Sequence, residues 1–394
     1  MPRNTVLLTW ELGEGLGHIR PLKLLGYKLA DAGFDLVFAC RDPVLAGKEL
    51  HSSLGRVIAA PFQPRPRTGL GQIRNYASLL QIQGYAEENE LLPLVRAWKA
   101  LIDLVDPALI IADHSPSAIL AARGSVPVVQ VGNGFLTPPP NSRRFPDLQW
   151  TDADVLAPAA DGKILQTVNR VLSHFEGESL TTLPEMMNTA GQCVFCLPEL
   201  DPYRPLRQTP VLGPLEPVPR LMLYPADLRV FAYLSSDYAA FDTVTKILSH
   251  ANFDRNVFVR GLSDAHAHLL ENSGLPLSQT APPLTETLPA ASLVIHHGGI
   301  ATTQACLFAG RPQIILPQHN EARHTAAIMQ EMGVAVSLER KDAHKLPEVF
   351  ARYQSDRDWR EAAMAQARTF QNREMADPMK GFLTTALAAM KEAS

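Results

Sequence analysis

The sequence predicts an α/β protein of two parallel-sheet domains, and three observations carry that expectation. The chain opens as strand, glycine-bearing loop, helix and strand: Thr5 to Trp10, Glu11 to Pro21, an amphipathic helix to about Ala32, then Asp35 to Cys40. Far downstream, Leu293 to Pro317 (LVIHHGGIATTQACLFAGRPQIILP) reads as strand, tight glycine turn, a small-residue helix stopping at Gly310, and a second strand beyond Pro312. Two strands joined through a helix run parallel. Finally, 394 residues exceed one ordinary core. A strand–helix–strand unit in each half makes both halves Rossmann-like.

In chain order, Gly33 caps the first helix. Gly13, Gly15 and Gly17 invite a dinucleotide site with Asp42 as its ribose acid, but the spacing is GxGxG where that site needs GxGxxG. Ala59 to Gly71, rich in Pro, Arg and Gly, reads as a surface loop, with Gly69 to Asp103 mainly helical. The buried strand Ala108 to Ala112 ends in Asp113-His114, at the strand edge where α/β proteins bind ligands. By itself Asp113 or Ser115 equally well caps a helix over Pro116 to Arg123. A strand over Val126 to Val131 and a Pro-rich loop over Leu136 to Pro146 follow. Helical segments over Gly162 to Ser173 and Glu178 to Ala190 lead to a strand bearing Cys193 and Cys196.

The prolines of Pro210 to Arg220 suit an extended linker. They divide the chain into residues 1–212, residues 213–375 and a final helical segment, 376–394. The second half repeats the pattern. A strand over Leu228 to Leu234 turns at Ser235-Ser236-Asp237 into a helix reaching about His250, and a strand over Asn256 to Val259 follows. Beyond Pro317 come a helix over Glu321 to Met332, a strand over Val334 to Leu338 and two helical runs.

Hydrophobic content of 46% with 19% charged residues describes a soluble globular protein. A net charge of −4 and a pI near 6.3 give no reason to expect a nucleic-acid partner. The apolar start is too short for a signal peptide and no stretch of ~18 apolar residues exists, so the expected address is cytoplasmic. Four cysteines make no disulfide framework. Cys193 and Cys196 lack the second ligand pair a zinc site needs, which leaves buried thiols. His266 and His268 read as an exposed helix face.

The chemistry concentrates at His296-His297-Gly298-Gly299. A glycine turn entering a helix aims unpaired N–H groups and the positive helix end at one point, an anion site in which Thr302 and Thr303 add hydroxyl donors. Read alone, the same four residues also fit a plain turn with two partly exposed histidines.

Two patterns weigh against the plain turn. The stretch resembles the donor-binding signature of the inverting UDP-glycosyltransferase superfamily (glycosyltransferase family 1-like, of the bacterial natural-product and lipid type), HHGGxGTT followed by AGxPQxxxP. The matches are His296, His297, Gly298, Gly299, Thr302, Thr303, Ala309, Gly310, Pro312, Gln313 and Pro317. Ala301 replaces a glycine of the signature, and Glu321-Ala322 stands where the family has Asp-Gln. Gly17-His18-x-x-Pro21, leading into LxxLGYxLxxAGFDLVFA, is similar to the same superfamily's GHxxP start, and Gly213-Pro214-Leu215 to the opening of its C-terminal half.

The resemblance implies a GT-B fold, two Rossmann-like domains facing across a central cleft, with the last helix packing back on the N-terminal half. It implies inverting transfer of a sugar from a UDP or dTDP donor to a hydroxyl of a small-molecule or lipid acceptor. His18 would be the general base, oriented by Asp113. The diphosphate would lie on His296, Gly298, Gly299, Thr302 and Thr303, with Ser235 and Ser236 touching phosphate. Pro282 would belong to the loop that seats the base of the nucleotide, Gln304 would reach the ribose and Glu321 the sugar hydroxyls. No metal or other cofactor is implied. Ala322 removes a hydroxyl reader, which points to a deoxysugar donor. A GT-B 2-epimerase of sugar nucleotides, a peptidoglycan-type N-acetylglucosaminyltransferase (EGLGHI is a partial match) and a non-catalytic nucleotide-sugar-binding helper stay open. So does peripheral membrane contact, and the sequence carries no signal of oligomeric state.

Overall fold

Strand β1 (Thr5–Trp10) is buried along nearly its whole length, as its almost unbroken apolar sequence requires of a parallel strand covered on both faces. The structure, a computed structural model, describes residues 4–68, 73–148, 161–225 and 227–392. The expected start of a helix at Gly69, the end of the loop at Gly71 and the last residue, Ser394, lie outside the described residues. The chain divides into two compact units, Met1–Leu215 with Ala376–Ser394, and Glu216–Met375. The long linker expected at Pro210 to Arg220 contains the first crossing.

In the first unit, β1 leads through α1 (Leu16–Asp31) to β2 (Asp35–Cys40), α2 (Pro43–Glu49) and β3 (Arg56–Ala59). Then come α3 (Tyr76–Ile82), α4 (Glu88–Val105), β4 (Leu109–Asp113), α5 (Pro116–Ala122), β5 (Val128–Gly132), α6 (Asp161–Ser173) and β6 (Gly191–Val194). Among the described residues its sheet has the order β3-β2-β1-β4-β5-β6, with every neighbouring pair parallel. Val6, Leu8 and Trp10 enter one core with Ile19, Leu22, Leu25 and Leu29 of α1, while Leu7 enters the core on the other face with Trp98 of α4. That alternation is the two-residue strand period, and the α1 set is one stripe of a helix.

The second unit holds β7 (Arg229–Ser235), α7 (Phe241–Ser249), β8 (Asp254–Arg260), α8 (Asp264–Asn272), α9 (Leu284–Ala290), β9 (Leu293–His296), α10 (Ile300–Ala309), β10 (Gln313–Ile315), α11 (Asn320–Glu331) and β11 (Ala335–Ser337). It closes with α12 (Leu346–Ser355) and α13 (Arg357–Gln371). Its described strands pair in the order β11-β10-β9-β7-β8, again all parallel. The last helix, α14 (Pro378–Glu392), buries Phe382, Ala386 and Ala389 in the first unit's core. Each unit is thus a parallel sheet with its own core, Rossmann-like as the strand–helix–strand start of each half predicts.

Several elements differ from expectation. Helix α1 starts at Leu16, ahead of the proline taken as its boundary, because the left-handed Gly13 and Gly15 (φ 82° and 81°) turn the chain immediately before it. Pro21 therefore lies inside the helix, at the loss of one i→i−4 bond. Gly84 (φ 88°) breaks the expected long helix between α3 and α4. Glu178 to Ala190 forms only a 3₁₀ turn, Leu183–Met187, pinned by Asn169, whose side chain bonds both the amide and the carbonyl of Leu180. Ala281 to Pro283 leads directly into α9, a helix that no expected element covers. All four cysteines are buried free thiols, and α8, which carries His266 and His268, buries no residue. Among the described residues no helix is long and apolar enough to cross a membrane.

Candidate active site

The first unit's site is built where β1 and β4 end side by side, Trp10 opposite Asp113 in register. His18 sits in the first turn of α1 and not in a preceding loop, with its Nδ1 3.0 Å from Asp113 Oδ2. An ionised carboxylate only accepts, so Nδ1 donates and Nε2 keeps the lone pair of a base. Both groups are nearly buried, and burial pushes the Asp113 carboxyl above its ordinary value while His18 beside it pulls the other way. The Trp10 ring stacks on His18 at 5.4 Å and 14°. Gly13 leaves the imidazole its room, since a Cβ there would collide with His18 Nε2.

The capping alternative for Asp113 is not the one this fold takes. Glu11, fully buried, accepts from the Ser117 amide at 2.9 Å and so caps α5 across 106 residues of sequence. Ser115 spends its hydroxyl on the Asp113 carbonyl. Burial pushes the Glu11 carboxyl up to about 8. Next to Asp113, His114 takes a left-handed backbone (φ 44°), with its ring stacked on His18 at 5.9 Å and 23°.

The second unit's site gathers the carboxyl ends of β9, β7 and β8. Gly298 adopts φ 81°, and Gly299 is the N-cap residue of α10 with no side chain capping the helix. No side chain therefore caps the first-turn amides of α10. Thr302, in that first turn, has a hydroxyl that bonds none of the described residues.

The two histidines require a correction. His296 is buried, with Nε2 on Gln313 Oε1 at 2.9 Å and Nδ1 accepting from the Gly298 amide at 3.0 Å. With both ring nitrogens engaged it braces the turn, and no N–H remains for a phosphate. His297 likewise donates from Nδ1 to the Leu316 carbonyl at 2.8 Å and accepts from the Ser235 amide at Nε2, 3.0 Å, tying β10 to β7. Burial pushes each of them down to about 4, so both are neutral near pH 7. Thr303 also turns inward, donating its hydroxyl to the Gly299 carbonyl at 3.0 Å.

Ser236 donates to the Gly261 carbonyl at 2.7 Å. Ser235 accepts from Arg260 Nη2 at 2.9 Å and donates to Asp237, whose carboxyl is held below its ordinary value first by that bond and then by Arg260. Pro282 is partly exposed ahead of α9, Gln304 is buried within α10, and Glu321 is partly exposed in the first turn of α11. Ala322 is fully buried, and a Cβ on Gly298 would meet it at 3.1 Å.

Arg260, Asp237, Glu11, Trp10 and His114 were missed in the sequence. One signal was available: a lone cation at the carboxyl end of an apolar strand, as in Asn-Val-Phe-Val-Arg260, stands on the ligand edge of a parallel sheet.

With this geometry in hand, residues 250–390 match the family model described as Erythromycin biosynthesis protein CIII-like, C-terminal domain. An L-demethylnoviosyl transferase of Streptomyces niveus is 26% identical over 342 residues, 82% of this chain and 83% of that protein. Among solved structures, the calicheamicin glycosyltransferase CalG4 superposes with a TM-score of 0.68 at 17% identity, covering 100% of both chains. The spinosyn rhamnosyltransferase SpnG complexed with thymidine diphosphate gives 0.65 at 17% identity, over 97% of this chain and 99% of that one. Both structures share the GT-B fold.

Proposed function

We propose that this chain, a glycosyltransferase of the GT-B fold by its likeness to named glycosyltransferases, moves a deoxysugar from a thymidine diphosphate donor to a hydroxyl of a small-molecule acceptor, with inversion at the anomeric carbon. The His18–Asp113 pair carries this reading. His18 Nε2 takes the acceptor's hydroxyl proton as the oxygen attacks the anomeric carbon from the face opposite the leaving group, and the bond to the β-phosphate oxygen breaks. The proton stays on His18, and Asp113 stabilises the imidazolium. One displacement inverts the centre.

The departing diphosphate gains negative charge, and the second unit answers it with the first-turn amides of α10, the Thr302 hydroxyl and the Arg260 guanidinium. These donors are fixed before the reaction, so the reading needs no bound metal and transfer should survive a chelator. Gln304 and Pro282 keep their suggested places beside the nucleoside and Glu321 beside the sugar. A thymidine diphosphate partner is supported by the ligand of the spinosyn enzyme, and a deoxysugar by the rhamnosyl group in that enzyme's name. Ala322 supports the same reading, since an apolar side chain packed against the turn reads no hydroxyl.

The test is transfer from a dTDP-6-deoxyhexose to a panel of hydroxylated aromatic acceptors, with the product anomer assigned by NMR. His18→Ala should lower turnover by roughly 10²- to 10⁴-fold and leave dTDP affinity within error. Wild-type turnover in that variant, or a product that keeps the donor's anomeric configuration, would overturn the mechanism. Epimer release without acceptor, or dTDP-sugar binding without any transfer, would restore the epimerase or helper readings.

A further inference from the structure

Three rings meet at the base. The bond from His18 Nδ1 to Asp113, 3.0 Å, fixes where that nitrogen lies but leaves the tilt of the imidazole plane open. The Trp10 ring lies 5.4 Å from that of His18 with the planes 14° apart, and the His114 ring 5.9 Å away at 23°. Both separations fall in the range of offset stacking. Trp10 belongs to the core shared with α1, whereas His114 lies 6.1 Å from Tyr76, which belongs to the core on the other face of the sheet. The two flanking rings thus reach the imidazole from the two faces of the sheet.

One residue of the loop after β1 ties the flanks together. The Leu12 carbonyl accepts the Trp10 indole N–H at 3.0 Å, and the Leu12 amide donates to the His114 carbonyl, also at 3.0 Å. The backbone so clipped at His114 is left-handed, φ 44°. A side chain with a Cβ resists that conformation, and such strain persists only where the surroundings impose it. The ring nitrogens of His114 are buried and bond none of the described residues, so what it presents to His18 is a ring face. Burial, and then the charge of a protonated His18, hold the His114 imidazole well below its ordinary value. That ring stays neutral and takes no proton from the base.

We infer that Trp10 and His114 are positioning residues: their rings hold the His18 imidazole in the one plane in which Nδ1 meets Asp113 while Nε2 is aimed at the acceptor hydroxyl. Neither touches the substrate, and neither exchanges a proton. The inference rests on His18 being the base of the proposed transfer. It adds what keeps that base aligned.

The experiment separates a misaligned base from a damaged fold by changing the acceptor's need for a base. A phenol must lose its proton to the enzyme, whereas its para-nitro derivative is already an anion in mildly alkaline buffer, so only the first depends on where Nε2 lies. Both are taken from the acceptor panel and paired with one dTDP-6-deoxyhexose donor. His114→Ala should lower kcat for the phenol by at least ~10-fold, because a small misplacement of a reacting group costs up to ~10²-fold, and for the nitrophenol by less than ~3-fold. The KM of each substrate should stay within ~2-fold of wild type. His114→Phe restores a ring and no nitrogen, and should bring turnover of the phenol back to within ~3-fold of wild type. Trp10→Leu should show the same split between acceptors as His114→Ala. The split is a ratio within one variant, so the fraction of protein folded cancels from it, and if one variant does not fold the other decides.

Equal losses for the two acceptors would make Trp10 and His114 structural parts and overturn the inference. So would unchanged turnover in both ring variants, or a His114→Phe enzyme as slow as His114→Ala. His18→Ala keeps the two readings apart. A split between acceptors in His18→Ala with none in the ring variants removes the inference alone and leaves the proposed function standing. No split in His18→Ala removes the base, and this inference falls with it.

Discussion

At the scale of the residue, the base has little latitude. A Cβ on Gly13 would occupy the position of His18 Nε2, and the left-handed backbone (φ 82°) penalises any side chain there. Gly13→Ala should therefore displace the imidazole from Asp113 and lower turnover by at least ~10²-fold, while dTDP affinity by calorimetry stays at the wild-type value. Unimpaired transfer would mean that Nε2 is not the reacting atom. In the second unit, the loss of His296 as a phosphate donor shifts attention to Arg260, whose side chain is 34% exposed and only 3.6 Å from Asp237. Arg260→Ala should weaken dTDP by about 1.5–3 kcal/mol, the range for a hydrogen bond to a charged group, and leave thymidine binding unchanged. Asp237→Asn removes the carboxylate that competes for the guanidinium and should tighten dTDP. Equal effects of Arg260→Ala on nucleoside and diphosphate would place the cation away from the phosphates.

At the scale of the element, strand β9, its glycine turn and helix α10 depend on two neutral histidines, and that dependence has a pH signature. Each is pushed down to about 4, against an ordinary value of about 6.5 in an unfolded chain. Between those values the unfolded chain binds protons that the folded one refuses. The contribution of this pair to stability is thus complete above pH ~6.5 and is lost as the pH falls through 4. His297→Gln can still donate to Leu316 and accept from Ser235 but does not titrate, so its melting temperature should fall less steeply than the wild type's on acidification from pH 6.5 to 4. Parallel slopes would refute the assignment. Glu11, pushed up to about 8 in the other unit, has the opposite sign and stabilises less as the pH rises from ~4.5 toward 8.

The same element marks what the sequence makes legible. An apolar run, paired glycines, a small-residue helix and a left-handed Gly310 (φ 68°) are local signals, and strand, turn, helix and second strand all follow from them. The direction in which His296 points is not local, since it is set by pairing β9 to β10, which brings Gln313 alongside. Glu11 capping α5 from 106 residues away is hidden for the same reason. Pro21 misplaced the start of α1 because a proline is read as a boundary, whereas two left-handed glycines had already turned the chain. His18 was accessible through the resemblance of Gly17-His18-x-x-Pro21, and Asp113 through that same resemblance and its place at the end of a readable strand, while Arg260 bore one charge and no motif.

At the scale of the molecule, the chain leaves its first unit at Leu215, builds the second, and returns at Ala376 to finish the first. Helix α14 is part of the first unit's core in every physical sense. Phe382 is fully buried there with Ala386, and the fit is close enough that a Cβ on Gly381 would press on Leu212 at 2.8 Å. A Cβ on Gly191 of β6 would likewise collide with the Thr385 side chain. Among the described residues α14 contributes Phe382, Ala386 and Ala389 to a core made of first-unit residues, so damage to α14 is damage to the first unit. Phe382→Ala should cost about 3–5 kcal/mol, the transfer of a phenyl ring plus the cavity it leaves. The loss should be local: amide exchange should quicken in β6, α1 and α14, while β7, β9 and α10 keep wild-type protection and dTDP affinity holds. Acceptor-dependent transfer should fall in step with the first unit's stability, because His18 is carried by α1, one of the elements α14 packs against. If exchange instead quickened equally in both units, the two cores would unfold as one, and the chain's return at Ala376 would be a structural tie through the whole protein.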